Sequence, residues 1–194
     1  MKRYAHLFAL LLLTAAASLA APHSGAAFVD DLQDGRHVLL MRHADAPGIG
    51  DPPGYVVSNC ATQRNLGVGG KRQAKAIGVW LTKQGITNAR VLSSPWCRCL
   101  DTARLLDKGT VKSEPALGSF FDNMSLEKSQ TQKLAALIKA ELAKKTNGPV
   151  ILVTHHVNIQ AYTDKVVNVG DMVLVRVDEN GGHLSHTLYP SPKP

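Results

Sequence analysis

The 194-residue sequence predicts a single α/β domain, a three-layer sandwich in which a mostly parallel central sheet has helices on both faces and an antiparallel hairpin at one edge. Short apolar runs of strand length alternate with longer segments of helical periodicity, which is typical of βαβ units. The last two predicted strands flank Asn180-Gly181-Gly182, a sequence typical of a hairpin turn. Neither an internal repeat nor a low-complexity linker interrupts the chain, so one domain is predicted over residues 28–190.

The first half of the chain predicts two strands, each followed by a helix. His37–Met41 is a short apolar run, and the glycine- and proline-rich stretch Pro47–Gly54 predicts a loop. Gly69–Gln84 has apolar residues at helical spacing and ends at a glycine. Val91–Ser93 predicts the second strand, and a further helical stretch follows it.

The second half continues the alternation. Ser125–Lys145 is the longest helical segment, with an apolar stripe along one side. Val150–Val153 predicts the clearest buried strand, because four apolar residues follow one another there. Met172–Val177 and His183–Tyr189 predict the closing hairpin.

Residues 1–21 have the pattern of a secretory signal peptide. A basic start precedes an apolar run that is shorter than the roughly 20 residues a membrane-spanning helix needs, and Ser18-Leu19-Ala20 offers an A-x-A-like cleavage site. Cleavage would give a periplasmic or secreted protein with no integral membrane span. An uncleaved N-terminal anchor is the alternative.

The charge composition favours an anionic ligand. The chain has 22 Lys and Arg against 15 Asp and Glu, and without Lys2 and Arg3 the remaining 20 basic residues leave a net charge of +5. Aromatic residues make up only 5% of the chain, and no basic run is interleaved with them. A nucleic-acid-binding surface is therefore not supported.

Three cysteines are present. Outside the cytoplasm one disulfide and one free thiol are expected, although three buried thiols are the alternative. A bridge between Cys97 and Cys99 would be strained because one residue separates them. Cys60 is therefore expected to pair with either Cys97 or Cys99.

Polar side chains follow three of the predicted strands. Arg42 and His43 follow the first, Arg98 lies shortly after the second, and His155 and His156 follow the apolar run at 150–153. In open α/β sheets the ligand site lies beyond the carboxyl ends of the strands. Guanidinium groups match phosphate oxygens two at a time, and a neutral imidazole is an accepted nucleophile. The pattern therefore predicts a phosphate site.

Four segments between residues 36 and 177 resemble known motifs in their known order. Leu40–Ala44 resembles an R-H-G signature, and Arg64–Ala74 resembles the pattern L-t-x-x-G-x-x-Q-A. Ser93–Ala103 resembles the pattern S-S-P-x-x-R-x-x-x-T-A, and Val153–His155 resembles the segment that contains a second catalytic histidine. The chain thereby resembles the histidine phosphatase superfamily, in its phosphoglycerate-mutase-like branch.

The resemblance implies a role for each matching residue. His43 would be the nucleophile and form a phosphohistidine, while Arg42, Arg98 and a protonated His155 would hold the phosphoryl group. Arg64 would either line the pocket or cap the next helix. The scheme requires no metal and no cofactor.

The sequence departs from the family at the general acid. Leu117–Ser119 lacks the glutamate of the usual L-x-E segment. Asp122 is the first candidate for the acid and Glu114 the second, and a site without a strong acid is the third possibility. His156 stands where the family often has glycine, and would either contact the substrate or pack against the fold.

The function expected from the residues and the resemblance is a metal-independent phosphomonoesterase. Its expected partner is a small phosphorylated substrate or a phosphorylated sugar on an envelope glycolipid. The short chain leaves little room for the insertions of the mutases. A non-catalytic phosphate- or anion-binding protein and a zinc hydrolase are the alternatives.

Overall fold

A computed structural model describes residues 25–144 and 148–193, and the predicted signal peptide at 1–21 lies outside them. Within those residues no helix combines the length and apolar character needed to cross a membrane. The strands are β1 (His37–Arg42), β2 (Arg90–Ser93), β3 (Val111–Ser113), β4 (Val150–Thr154), β5 (Met172–Val177) and β6 (His183–Tyr189). The helices are α1 (Gly25–Gln33), α2 (Val68–Lys83), α3 (Cys97–Leu105), α4 (Glu127–Leu142) and α5 (His156–Thr163).

All six strands form one sheet in the order β3-β2-β4-β1-β5-β6. The pairs β2–β3, β2–β4 and β1–β4 are parallel, with Leu40 opposite Leu152 in the last of them. Strand β5 runs antiparallel to β1, and β6 closes the edge as its hairpin partner. The predicted mixed sheet with an antiparallel edge is confirmed.

The sheet lies between two apolar layers. Leu39 and Met41 of β1 enter one core cluster, which also contains residues of α1, α2 and α3. Val38 and Leu40 enter the other, which contains residues of α4 and α5. This alternation follows from the two-residue period of a strand, and it confirms the three-layer sandwich.

Three elements have no counterpart in the sequence prediction: α1, β3 and α5. Strand β3 is three residues long, and Lys112 and Ser113 are exposed, so it has no apolar run. Helix α5 is only eight residues long, and the five residues that it buries, polar Asn158 and Thr163 among them, spread over more than half of its circumference, which leaves no clear amphipathic stripe to recognise. Helix α4 is also shorter than the predicted Ser125–Lys145, because a separate 3-10 turn over Met124–Leu126 precedes it.

A disulfide fastens the loop after β1 to the start of α3. It joins Cys60 to Cys97 with a Cα–Cα distance of 5.6 Å, and Cys99 is a buried free thiol. The Gln63 side chain strengthens the same junction, since its Oε1 accepts a hydrogen bond from the Cys97 backbone N–H at 3.0 Å. Of the two pairings expected for Cys60, the structure selects Cys97.

We predict that Cys60→Ser lowers the free energy of unfolding by roughly 2–4 kcal/mol, because a bridge across a sequence separation of 37 restricts the unfolded chain. Urea unfolding monitored by circular dichroism, with and without a reductant, measures the change. Reductant should shift the wild-type midpoint to that of Cys60→Ser and leave the variant unchanged. A wild-type midpoint that is insensitive to full reduction would contradict the assignment.

Candidate active site

A cavity of about 230 Å³ opens at the carboxyl ends of β1, β4 and β2, which are neighbours in the sheet. This is where an open α/β sheet places its ligand site. Of the eight candidate site residues named from the sequence, all but Glu114 line it: Arg42, His43, Arg64, Arg98, Asp122, His155 and His156. A wider depression of about 780 Å³ lies at the opposite end of the sheet, but Arg90 is the only charged residue among the described residues that line it. The smaller cavity is therefore the candidate active site.

His43 presents one ring nitrogen to this cavity with its lone pair free. The side chain is 2% exposed, and Nδ1 lies 2.8 Å from the carbonyl oxygen of Ala44. A carbonyl only accepts hydrogen bonds, so Nδ1 carries the proton and Nε2 carries the lone pair. The His43 backbone N–H donates to the Thr154 carbonyl at 3.0 Å, which ties the end of β1 to β4. The imidazole is thus held as the tautomer that a nucleophile needs.

Burial and surrounding charge keep this imidazole neutral. Burial is the main cause that lowers the pKa of His43 to about 3; the hydrogen bond to Ala44 opposes this shift, and the cations of Arg98, Arg42 and Arg64 contribute to it. At neutral pH the lone pair is therefore available for attack on phosphorus.

His155 lies beside His43, with ring centroids 5.6 Å apart in an edge-to-face arrangement. Its Nε2 is 2.8 Å from Ser94 Oγ and 3.5 Å from Cys99 Sγ. Burial, followed by the proximity of His43 and Arg98, holds the pKa of His155 well below its usual value. In the pocket without an anion His155 is therefore neutral, whereas the expected protonated His155 concerns the site with a phosphoryl group bound and stays a prediction. A phosphoryl dianion between these groups would oppose that shift.

Arg98 is held by a buried carboxylate that the sequence analysis did not single out. Its Nη1 donates to Asp51 Oδ1 at 2.8 Å and to Oδ2 at 3.0 Å, and the two side chains are 5% and 2% exposed. Asp51 also accepts bonds from the Arg64 backbone N–H at 2.9 Å and from Trp96 Nε1 at 3.1 Å. One carboxylate thus joins the loop after β1 to both sides of the cavity. Nothing in the sequence of the predicted loop Pro47–Gly54 indicates this role.

Arg42 and Arg64 are bound to backbone carbonyls rather than to acids. Arg42 Nη1 donates to the Val167 carbonyl at 2.9 Å, and Arg64 Nε donates to the Gly50 carbonyl at 2.8 Å. Burial lowers the pKa of both, and the charge of Arg98 lowers each further. Arg64 lines the cavity and does not cap α2, whose N-cap is Gly67.

Two of the three guanidinium groups, those of Arg42 and Arg98, have a buried donor that binds nothing in the described residues. Within residues 25–144 and 148–193, the Nε atoms of Arg42 and Arg98 are buried and have no hydrogen-bond partner. A buried donor without a partner costs roughly 1–3 kcal/mol. Three cations therefore meet beside a neutral imidazole, an arrangement suited to a tetrahedral anion.

At the mouth of the cavity the structure separates the two candidates for the acid. Asp122 lines the cavity and accepts a hydrogen bond from the Tyr55 hydroxyl at 2.9 Å. Glu114 does not line it and instead pairs with Lys112 Nζ at 2.5 Å. The positions therefore favour Asp122. His156 also lies at the mouth, with its ring 5.6 Å from that of Phe121.

Comparison of the sequence with family models and with curated proteins gives no match. Solved structures do match. The protein histidine phosphatase SixA complexed with tungstate has 19% sequence identity and a TM-score of 0.56, with 79% of this chain and 94% of that chain covered. The mycobacterial glucosyl-3-phosphoglycerate phosphatase has 16% identity and a TM-score of 0.54, with 79% and 96% covered.

A third match is phosphoserine phosphatase from Entamoeba histolytica in complex with 3-phosphoglyceric acid, with 15% identity, a TM-score of 0.55, and 78% and 94% covered. At such identities the likeness concerns the fold, and it agrees with the resemblance that the four sequence segments indicate. The chain has the fold of the histidine phosphatase superfamily.

Proposed function

We propose that this protein is a metal-independent phosphatase that hydrolyses phosphomonoesters through a phosphohistidine intermediate on His43. One observation carries the proposal: a buried imidazole with its lone pair at Nε2 shares a cavity with three guanidinium groups. The named structural neighbours are phosphatases, which supports the same chemistry in this chain.

In the first step His43 Nε2 attacks phosphorus in line with the ester oxygen. The N–P bond forms as the P–O bond to the alcohol breaks, and Asp122 in its protonated form gives its proton to the departing oxygen. Arg42, Arg98 and His155 hold the three remaining phosphoryl oxygens, so that developing charge meets donors already in place.

In the second step water attacks the phosphohistidine. The carboxylate of Asp122 takes a proton from that water, the N–P bond breaks, and inorganic phosphate forms while His43 regains its lone pair. The bond from Nδ1 to Ala44 persists through both steps and fixes the ring orientation.

The natural setting is proposed from the N-terminal pattern. A cleaved leader over residues 1–21 would place the enzyme in the periplasm or outside the cell. A phosphorylated sugar on an envelope glycolipid is then one substrate that export would favour.

Two alternatives make different predictions. A non-catalytic anion-binding protein would keep the arginines and hydrolyse nothing, even an activated aryl ester. A zinc hydrolase would lose activity with a chelator, whereas the proposed enzyme keeps it. Among the described residues, the one cluster of three side chains close enough to share a metal ion is Asp31, Asp34 and His37, at the opposite end of β1 from His43.

We predict that a phosphomonoester labelled with radioactive phosphate transfers its label to the protein, and that the label is lost in acid but survives alkali. His43→Ala should abolish the labelling because it removes the proposed nucleophile, and Nε2 of the neighbouring His155 already lies within hydrogen-bonding distance of Ser94 Oγ. His183→Ala, which changes a histidine outside the cavity lining, serves as the matched control and should label normally. Labelling that survives His43→Ala, or that is stable in acid, would contradict the mechanism.

The role of Asp122 is tested by comparing leaving groups. Asp122→Asn should lower kcat/KM for an alkyl phosphate by about 100-fold, because an alkoxide needs a proton to depart. For 4-nitrophenyl phosphate the loss should be less than about threefold, since that phenolate departs without help. Glu114→Gln is the control and should change neither. An equal loss on both esters would rule out the assignment of Asp122 as the acid.

Asp51 is predicted to act by orienting Arg98. Asp51→Asn should lower kcat by about tenfold, since small misplacements of a positioning group are costly. The affinity for inorganic phosphate should not fall, because the change removes a negative charge from the cavity. Asp101→Asn, at an exposed ion pair with Arg104, is the matched control. An unchanged kcat in a folded variant would show that Asp51 has no positioning role.

A further inference from the structure

Exposed apolar side chains are concentrated in two segments that both contribute residues to the cavity lining. Nine large hydrophobic residues are exposed among the described residues, and five of them lie in the two short segments 49–56 and 121–126. Scattered surface apolar residues are ordinary, whereas a cluster beside a binding site indicates contact with an apolar partner.

Two of these side chains line the cavity itself, and we call Ile49 and Phe121 the apolar rim. Ile49 is 91% exposed and Phe121 is 40% exposed. Gly50 places the two loops close together, because a Cβ built on it would lie 4.0 Å from Phe121 Cε1. The rim thus combines side chains from two loops that come close together at the cavity.

The charges of the cavity are divided between its base and its mouth. Its lining cations are Arg42, Arg64 and Arg98, the groups assigned above to the phosphoryl group and the loop around it. Within the described lining, the mouth adds no further lysine or arginine but does add the carboxylate of Asp122. A second anionic group on a substrate would therefore meet the carboxylate of Asp122, two apolar side chains and His156, whose pKa is lowered by burial and by the nearby arginines, with no lysine or arginine of the mouth to bind it.

We infer, resting on the proposed phosphatase function, that the substrate is a phosphate monoester of an uncharged apolar alcohol whose carbon chain or ring packs against Ile49 and Phe121. The cavity of about 230 Å³ is smaller than the roughly 300–1,000 Å³ of sites that enclose a whole ligand. The phosphoryl group and the first carbons enter it, and the rest of the alcohol lies across the apolar rim. An alkyl or aryl phosphate therefore fits this rim better than the sugar phosphate named above as one substrate, and takes its place in the proposal.

The inference is tested by binding alone, with phosphonates that cannot be hydrolysed. Isothermal titration calorimetry compares ethylphosphonate, hexylphosphonate and 2-carboxyethylphosphonate. Each fully buried methylene raises the affinity about fourfold, and each methylene that the rim covers on one side only raises it about twofold. Hexylphosphonate should therefore bind about 15-fold more tightly than ethylphosphonate, and 2-carboxyethylphosphonate should bind more weakly than either.

The double variant Ile49→Ser with Phe121→Ser should reduce the hexyl-to-ethyl affinity ratio to about threefold or less. Leu184→Ser removes an apolar side chain of β6 that is 56% exposed, between the values for Phe121 and Ile49, and should keep the wild-type ratio. A wild-type ratio near one, tightest binding of the carboxylate, or an equal fall in the Leu184 control would each overturn the inference.

These outcomes are separate from the failure of the proposed function. If 4-nitrophenyl phosphate is not hydrolysed but the hexyl-to-ethyl affinity ratio is high in the wild type and falls in the rim variant, the proposed phosphatase function fails and the apolar ligand class stands. If the aryl ester is hydrolysed but hexylphosphonate and ethylphosphonate bind equally tightly, the proposed phosphatase function stands and the inferred substrate class is wrong.

Discussion

The ion pair between Arg98 and Asp51 is the constraint on which the rest of the pocket depends. Both side chains are almost fully buried, and a buried charge without a partner costs several kcal/mol. By accepting bonds from Arg98, Trp96 and the Arg64 backbone, Asp51 fixes the loop after β1 over the carboxyl ends of the strands. The disulfide to Cys97 anchors the same loop next to Arg98. Sheet, helix α3 and loop are thereby held in one geometry.

The pocket built on this ion pair has more positive charge than its own acids balance. Arg42 and Arg64 are bound only to carbonyls in the described hydrogen bonds, and the pKa values of His43 and His155 are lowered by burial and by neighbouring cations. The fold holds these cationic groups close together despite their mutual repulsion. A phosphoryl group relieves it, so binding and orientation of the substrate come from the same charges. The neutral imidazole at the centre is the group that can form a bond.

The sequence predicts the strands of the sheet and the residues of the active site better than it predicts the side-chain contacts that hold those residues in place. Apolar runs show where β1, β2 and β4 lie, and strand ends that meet at one edge explain why residues as distant as His43 and His155 converge. Asp51 could not be found in this way, because its contact with Arg98 crosses 47 positions from a loop without periodicity. The choice of disulfide partner also depends on the three-dimensional fold.

The geometry of helix α3 explains why Cys60 pairs with Cys97 and not with Cys99, since residues two positions apart in a helix point to nearly opposite sides. Cys97 meets the loop, whereas Cys99 enters the core beside His155.

The central claim is that His43, Arg42, Arg98 and His155 surround one tetrahedral anion. A crystal structure with orthovanadate tests it most directly: vanadium should lie within bonding distance of His43 Nε2, with its oxygens bound by both guanidinium groups and by His155. Vanadate bound elsewhere, or a vanadium centre without contact to His43, would contradict the account.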